Sequence, residues 1–249
     1  MDNSPYPIVK IPQPWLTTEQ MIEVDRLMIE EYGIILLQMM ENAGLNLARF
    51  VIQMIENPSK EILVFAGNGH NGGGGLTAAR HLSNYGYKVK IVLTGNPAKM
   101  KEVTHHQFDI ARNLTIPEEI TLPLKNEIED AGLIIDAMIG YGLTGELSNN
   151  YINIVKVINE IRNIPIISLD APTGLNTSTG LSTKRTVKAT QTLTLAFPKI
   201  GLSAPNAKEY VGELFAADIA IPPQIYQKLG IEPSRLFNAS PIIKINSES

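Results

Sequence analysis

Four short, almost unbroken apolar runs constrain this chain most: EILVFAG at 61–67, KVKIVLTG at 88–95, AGLIIDAMIG at 131–140 and IPIISLDAP at 164–172. Runs of that length without polar alternation fit strands buried on both faces, as in a parallel sheet. Between them lie helix-like segments over Leu76–Tyr85 ahead of Gly86, Lys99–Leu114, Glu127–Ala131 and Tyr151–Arg162. Alternating strands and helices predict βαβ units in one α/β, doubly wound domain spanning 1–249, with a mostly parallel central sheet. QTLTLAF and GELFAADIAIP extend the sheet, and the final dozen residues are expected to form a frayed tail.

Ahead of the sheet, TTEQ at 17–20 fits a capping box in which Thr17 caps a helix and Gln20 reaches back. Met21, Ile22, Val24, Leu27 and Met28 then keep an apolar stripe on one helix face. A second helix covers ILLQMMENAGLNLARFVIQMI, so a helical layer over about 17–56 precedes an α/β core over about 61–222. The apolar stretch GIILLQMM is too short to span a bilayer, and the first residues lack the basic and apolar regions of a signal peptide. A soluble, cytoplasmic protein is expected.

Composition removes several function classes. A net charge of −4 disfavours nonspecific nucleic-acid binding, which needs a basic footprint. The absence of cysteine excludes disulfides, thiolate metal sites and cysteine nucleophiles. Ligands of parallel sheets bind beyond the carboxyl ends of the strands, and the distinctive residues gather there, after the first, third and fourth runs.

The first loop, GNGHNGGGG, holds six glycines in nine residues from Gly67 to Gly75. Gly67, Gly69 and Gly72 satisfy G-x-G-x-x-G between a strand and a helix, where backbone amides can meet phosphate oxygens. The second run ends VLTGNP without the acid that holds ribose hydroxyls, which disfavours an ordinary dinucleotide dehydrogenase. Leu76 and Thr77 stand where a P-loop needs Lys and Ser or Thr. A turn built only for tight helix–sheet packing is the alternative.

Asp136 ends the third run as a cation ligand, a substrate ligand or a helix cap, followed by Gly140, Gly142 and Gly145. Asp170 ends the fourth, ahead of a turn with Pro172, Thr173 and Gly174. Asn71, Asp136 and Thr173 make a hard oxygen set with one carboxylate, better suited to a monovalent ion than to Mg²⁺ or Ca²⁺. Zinc is disfavoured by scattered histidines and missing cysteines.

Four ordered motifs together resemble the NAD(P)H-hydrate epimerase family, the YjeF N-terminal domain: GNGHNGGGGLTAARHL, DAMIGYGLTGEL, LDAPTGLNTSTG and TLAFPKIGL, with MMENAG in the helical layer. The resemblance covers nearly the whole chain. It implies a Rossmann-like three-layer sandwich, usually a homodimer, that interconverts the R and S epimers of hydrated NADH or NADPH. The substrate-binding positions it implies are His70, Asn71, Gly72, Gly73 and Gly74, then Gly140, Tyr141, Gly142, Leu143, Thr144, Gly145 and Glu146, and Asp170. It implies one potassium ion held by Asn71, Asp136 and Thr173, with no organic cofactor beyond the nucleotide substrate. Epimerisation needs a positioned proton carrier, for which Asp170 is the candidate. Lys199 in FPKIG is either an electrostatic assistant or a surface lysine.

The motifs depart from the family pattern at three places: Gly74 replaces a loop aspartate, His70 an asparagine and Asn176 a later aspartate. His70 is either a replacement acid/base or an exposed loop imidazole. His81, His105 and His106 read as helix-surface residues. The alternatives to an epimerase are a nucleotide-binding or scaffold protein that kept the pocket, and an enzyme acting on another small substrate.

Overall fold

The computed structural model describes residues 4–11, 15–231 and 236–246. The helical layer comprises α1 (Thr18–Glu30) and α2 (Leu36–Met54), after a short strand β1 (Ile8–Val9). The core follows as β2 (Ile62–Ala66), α3 (His70–Asn84), β3 (Val89–Leu93), α4 (Glu102–Asn113), β4 (Glu118–Glu119), α5 (Lys125–Glu129), β5 (Leu133–Ala137), α6 (Asn149–Glu160) and β6 (Ile166–Leu169). It ends with β7 (Gln191–Leu195), α7 (Lys208–Val211), β8 (Glu213–Ala217), α8 (Pro223–Lys228) and β9 (Ile242–Ile245).

Among the described residues nine strands form one sheet in the order β1-β9-β8-β7-β6-β5-β2-β3-β4. Every pairing is parallel except β8 with β9. Alternate side chains of the central strands feed opposite layers, as the strand period demands. Ile62, Val64 and Ala66 of β2 pack with Phe50, Leu76, Leu82 and Phe108 of α2, α3 and α4. Leu63 and Phe65 pack on the other face with Ile128, Ile154, Val155 and Ile158 of α5 and α6. The result is the expected three-layer α/β sandwich.

In α1, Thr17 Oγ1 accepts from the Gln20 amide at 3.1 Å while Gln20 Oε1 accepts from the Thr17 amide at 2.9 Å, so the expected capping box is made. Met21, Val24, Leu27 and Met28 are buried. At roughly 1.5–3 kcal/mol for each large buried apolar side chain, these four burials offset part of the cost of ordering the helix. Ile22 departs from the expected stripe: it is 55% exposed. A fifth apolar position widens the stripe past the angle the core can cover.

Three other expectations are corrected. The chain's end is not a frayed tail over its final dozen residues. Ile242–Ile245 is a strand in the sheet, Ile243 facing Ala216 and Lys244 facing Ile8, while 247–249 lie outside the described residues. His81 is no surface residue of α3, since its Nε2 lies 2.8 Å from Glu41 of α2 with the side chain 15% exposed.

The third correction concerns α3, which begins at His70, six residues before the expected Leu76, so Gly72–Gly75 are helix rather than loop. Close approach explains this. A Cβ on Gly72 would lie 1.8 Å from the Gly67 carbonyl oxygen, and one on Gly75 would lie 2.4 Å from Ala137 Cβ. Bare glycines let the first turns of α3 lie directly on the ends of β2 and β5. There the strand order departs in both directions from β2, making the crevice in which such sheets bind ligands.

Candidate functional site

The segments following β2, β5 and β6 meet at this crevice, and α1 and α2 close over it. They enclose a cavity of about 490 Å³, a size suited to a small organic ligand. Met21, Leu36, Met39 and Met40 supply an apolar wall. Asp25, Asn71, Tyr141, Asp170 and Lys199 bring polar groups to the same space. That pairing can hold a flat heterocycle against methionines while presenting acid and base to its edge.

Asp170 sits at the tip of β6 with φ +66°, a left-handed conformation that aspartate tolerates at modest cost. It is 3% exposed and Lys199 0%, and their charged groups meet at 2.5 Å. The surface-lysine reading of Lys199 is thereby excluded. Lys199 Nζ also donates to the Leu195 carbonyl at 2.8 Å, and the Tyr141 amide donates to Asp170 Oδ2 at 2.8 Å. Asp170 is thus held at both oxygens, with its carboxylate on the cavity wall.

Asp136 is fully buried in β5. Its oxygens accept from Thr173 Oγ1 at 2.6 Å, the Thr173 amide at 2.9 Å, Ser168 Oγ at 2.8 Å and the Met138 amide at 3.3 Å. Burial pushes the Asp136 carboxyl above its usual value, and these donors partly offset it. Among the described residues no cationic side chain pairs with it. Asn71 does not join it by a hydrogen bond: Asn71 Nδ2 donates to the Leu169 carbonyl at 3.2 Å. Its Oδ1 instead flanks Gly140 beside Asp170, since a Cβ on Gly140 would lie 3.0 Å from Asn71 Oδ1 and 2.7 Å from Asp170 Oδ2. A buried carboxylate without a counter-ion, with a hydroxyl at hydrogen-bond distance, fits a weakly held monovalent cation.

The remaining sequence-predicted positions divide. His70, Asn71 and Gly74 line the cavity with Gly140, Tyr141, Gly142, Leu143 and Thr144. Gly72 and Gly73 face inward instead, Gly72 towards Gly67 and Gly73 towards Met40 and Thr104. Glu146 turns away to an exposed pair with Lys184 at 2.6 Å, and Gly145 forms the turn before it with φ +72°. His70, the first residue of α3, has its pKa lowered by partial burial and by Lys101, so the neutral imidazole is favoured. Asn176 caps its own turn, its Oδ1 accepting from the Ser178 and Thr179 amides at 3.0 Å each.

Sequence reasoning missed Asp25. This α1 residue lies between buried Val24 and exposed Arg26 and lines the cavity, with Tyr141 Oη donating to its Oδ2. Burial raises the Asp25 pKa, and burial together with Asp25 raises that of Tyr141. A lone acid on an amphipathic helix has no local signal to separate it from a solvated one. Only the docking of α1 over the strand ends gives it a partner.

Comparison with known proteins adds an independent line. Residues 36–201 match the family model described as YjeF-related protein N-terminus. The chain is 39% identical over 222 residues to an NAD(P)H-hydrate epimerase of Dehalogenimonas lykanthroporepellens, covering 88% of this chain and 87% of that one. It is 33% identical over 211 residues to the NAD(P)H-hydrate epimerase of Nitrosopumilus maritimus, covering 84% and 96%. A bifunctional NAD(P)H-hydrate repair enzyme of Salinibacter ruber is 32% identical over 88% of this chain but only 43% of its own length. The crystal structure of yeast ynu0 superposes with a TM-score of 0.81 over 93% of this chain and all of that one, at 24% identity, which shows a shared fold.

Proposed function

Because this chain belongs to the family of YjeF-related protein N-termini, we propose that it is an isomerase that interconverts the epimers of hydrated NADH and NADPH, the activity for which its relatives are named. The observation that carries the chemistry is the buried Asp170–Lys199 pair opening on an apolar cavity at the crevice of the sheet.

In the hydrate, a ring carbon beside the ring nitrogen bears a hydroxyl. Inverting that carbon requires the carbon–oxygen bond to break and reform on the other face. The nitrogen lone pair assists departure and leaves a planar cation, which a fixed carboxylate stabilises better than mobile water does. We assign this role, and that of carrying the proton of the incoming water, to Asp170, which lines the cavity. Lys199 fixes the carboxylate's orientation, and the methionine wall restricts bulk water. We assign the nucleotide's phosphates to the backbone amides at the start of α3, where His70 and Asn71 line the cavity.

Asp136 and Thr173, with Asn71, would hold a potassium ion. Its positive charge would offset the buried Asp136 carboxylate and favour anionic substrate groups nearby. The chain is further proposed to act as a homodimer, for which exposed Ile22 and Ile29 on α1 and Ile35 at the start of α2 offer apolar surface, and sedimentation analysis reads this directly. The test of the reaction is chromatography of the R and S forms of NADPH hydrate with and without protein, after subtraction of spontaneous epimerisation. Acceleration supports the assignment. Its absence from folded protein would favour the kept-pocket alternative.

A further inference from the structure

Resting on the epimerase reading, we propose that Asp25 and Tyr141 form a second proton-transfer pair, so that opposite faces of the substrate ring are served by different groups. The need comes from stereochemistry. The two epimers carry their hydroxyls on opposite faces of one ring carbon, and a rigid single acid cannot reach both without the ring turning over. Asp170 is rigid: a left-handed backbone, the Lys199 ammonium at 2.5 Å and the Tyr141 amide at 2.8 Å fix it.

Asp25 comes from a different layer of the fold. It is delivered by α1, whereas Asp170 is delivered by β6, and both line the same cavity. Tyr141 spans them, its amide on Asp170 and its phenol on Asp25. The two carboxyl groups have contrasting partners. Asp170 carries an ammonium, while Asp25 carries a neutral phenol, with Lys199 acting on it only at longer range. Burial raises the proton affinity of Asp25, which favours it as the acid on its side of the cavity. The other titratable groups in its field are Asp170, and Tyr226 on α8. Its helix neighbours Glu23 and Arg26 pair with each other in solvent.

The step balances. Asp25, held at Oδ2 by the Tyr141 hydroxyl, gives the proton on its other oxygen to the substrate hydroxyl on its face. The carbon–oxygen bond breaks with both electrons leaving on water, and the nitrogen lone pair forms the carbon–nitrogen double bond. A water on the opposite face adds to that carbon, the nitrogen recovers its pair, and the water's proton passes to Asp170. One water leaves and one enters. The reverse reaction starts with the proton on Asp170, and solvent exchange resets the pair.

The test follows each purified NADPH-hydrate epimer separately, across pH, with the wild type, Asp25→Asn, Asp25→Glu and Tyr141→Phe, each checked for folding by circular dichroism. In the wild type both epimers should give the same bell-shaped pH profile of kcat/KM, because each direction starts from one tautomer of the singly protonated Asp25–Asp170 set. Asp25→Asn and Tyr141→Phe should lose about 100-fold or more in kcat, the scale of a lost acid–base group, with KM little changed. Asp25→Asn should also lose the limb of that profile set by Asp25, and Asp25→Glu, which keeps an acid, should recover part of the rate and that limb. Folded variants keeping the wild-type rate and both limbs of the profile overturn the second pair while leaving the epimerase reading intact. So does a loss confined to KM or to stability. A wild type that accelerates neither epimer overturns the reading itself.

Discussion

Replacing Lys199 by Met would leave the Asp170 carboxylate 3% exposed and without its ammonium. At 2.5 Å and an effective dielectric near 20, the direct attraction is about 7 kcal/mol before desolvation of either group is charged against it. Measured losses on removing one member of a buried pair are smaller, about 3–5 kcal/mol, because the stranded charge relaxes or takes up a proton. For a domain of this size that corresponds to a fall in Tm of roughly 6–20 °C. The double variant Lys199→Met/Asp170→Asn removes both charges and keeps an acceptor for the Tyr141 amide. It should recover most of the loss, ending within about 2 kcal/mol of wild type. Urea denaturation of the wild type, both single variants and the double variant, with Tm alongside, gives the coupling energy. A double variant whose loss equals the sum of the single losses would refute the argument that the pair acts as one buried unit.

Gly72→Ala places a Cβ 1.8 Å from the Gly67 carbonyl, backbone against backbone, so the helix must move off the strand ends at about 3 kcal/mol or more, read by urea denaturation. Potassium at 100-fold over its dissociation constant should stabilise the wild type by about 2.7 kcal/mol relative to a bulky organic cation, and Asp136→Asn should abolish the difference in a thermal-shift series. Asp25 has its pKa raised above 3.8, so it binds its proton more tightly folded than unfolded. Its contribution to stability is complete below pH 3.8 and is lost as pH rises through the folded value; the stability difference between wild type and Asp25→Asn should shrink across that window.

The central strands were legible because burial on both faces writes a continuous apolar run, and the capping box Thr17–Gln20 marked the start of α1 to the residue. The strand β9 was not: IIKI is only four residues long, and its pairing with β1 depends on the two ends of the chain meeting. The glycines misled in a particular way. Low helix propensity argues for a loop, yet here contact with Gly67 and Ala137 overrides propensity and starts the helix inside the glycine run. Motif order located Asp136, Thr173 and Asp170 at neighbouring strand tips, and the structure joins Asp136 to Thr173, with Asn71 donating to the Leu169 carbonyl and its Oδ1 flanking Gly140 beside Asp170. Lys199 was ambiguous in sequence because nothing local distinguishes a buried lysine from an exposed one, and Asp25 was invisible for the same reason.

The most direct test follows the R and S forms of NADPH hydrate by chromatography in potassium buffer, comparing no protein, wild type and Asp170→Asn. The expected result is epimerisation by the wild type well above the spontaneous rate, and none above it with the folded Asp170→Asn variant. Equal acceleration by both proteins would remove Asp170 from the chemistry, and a folded wild type that leaves the spontaneous rate unchanged would contradict the assignment as an epimerase.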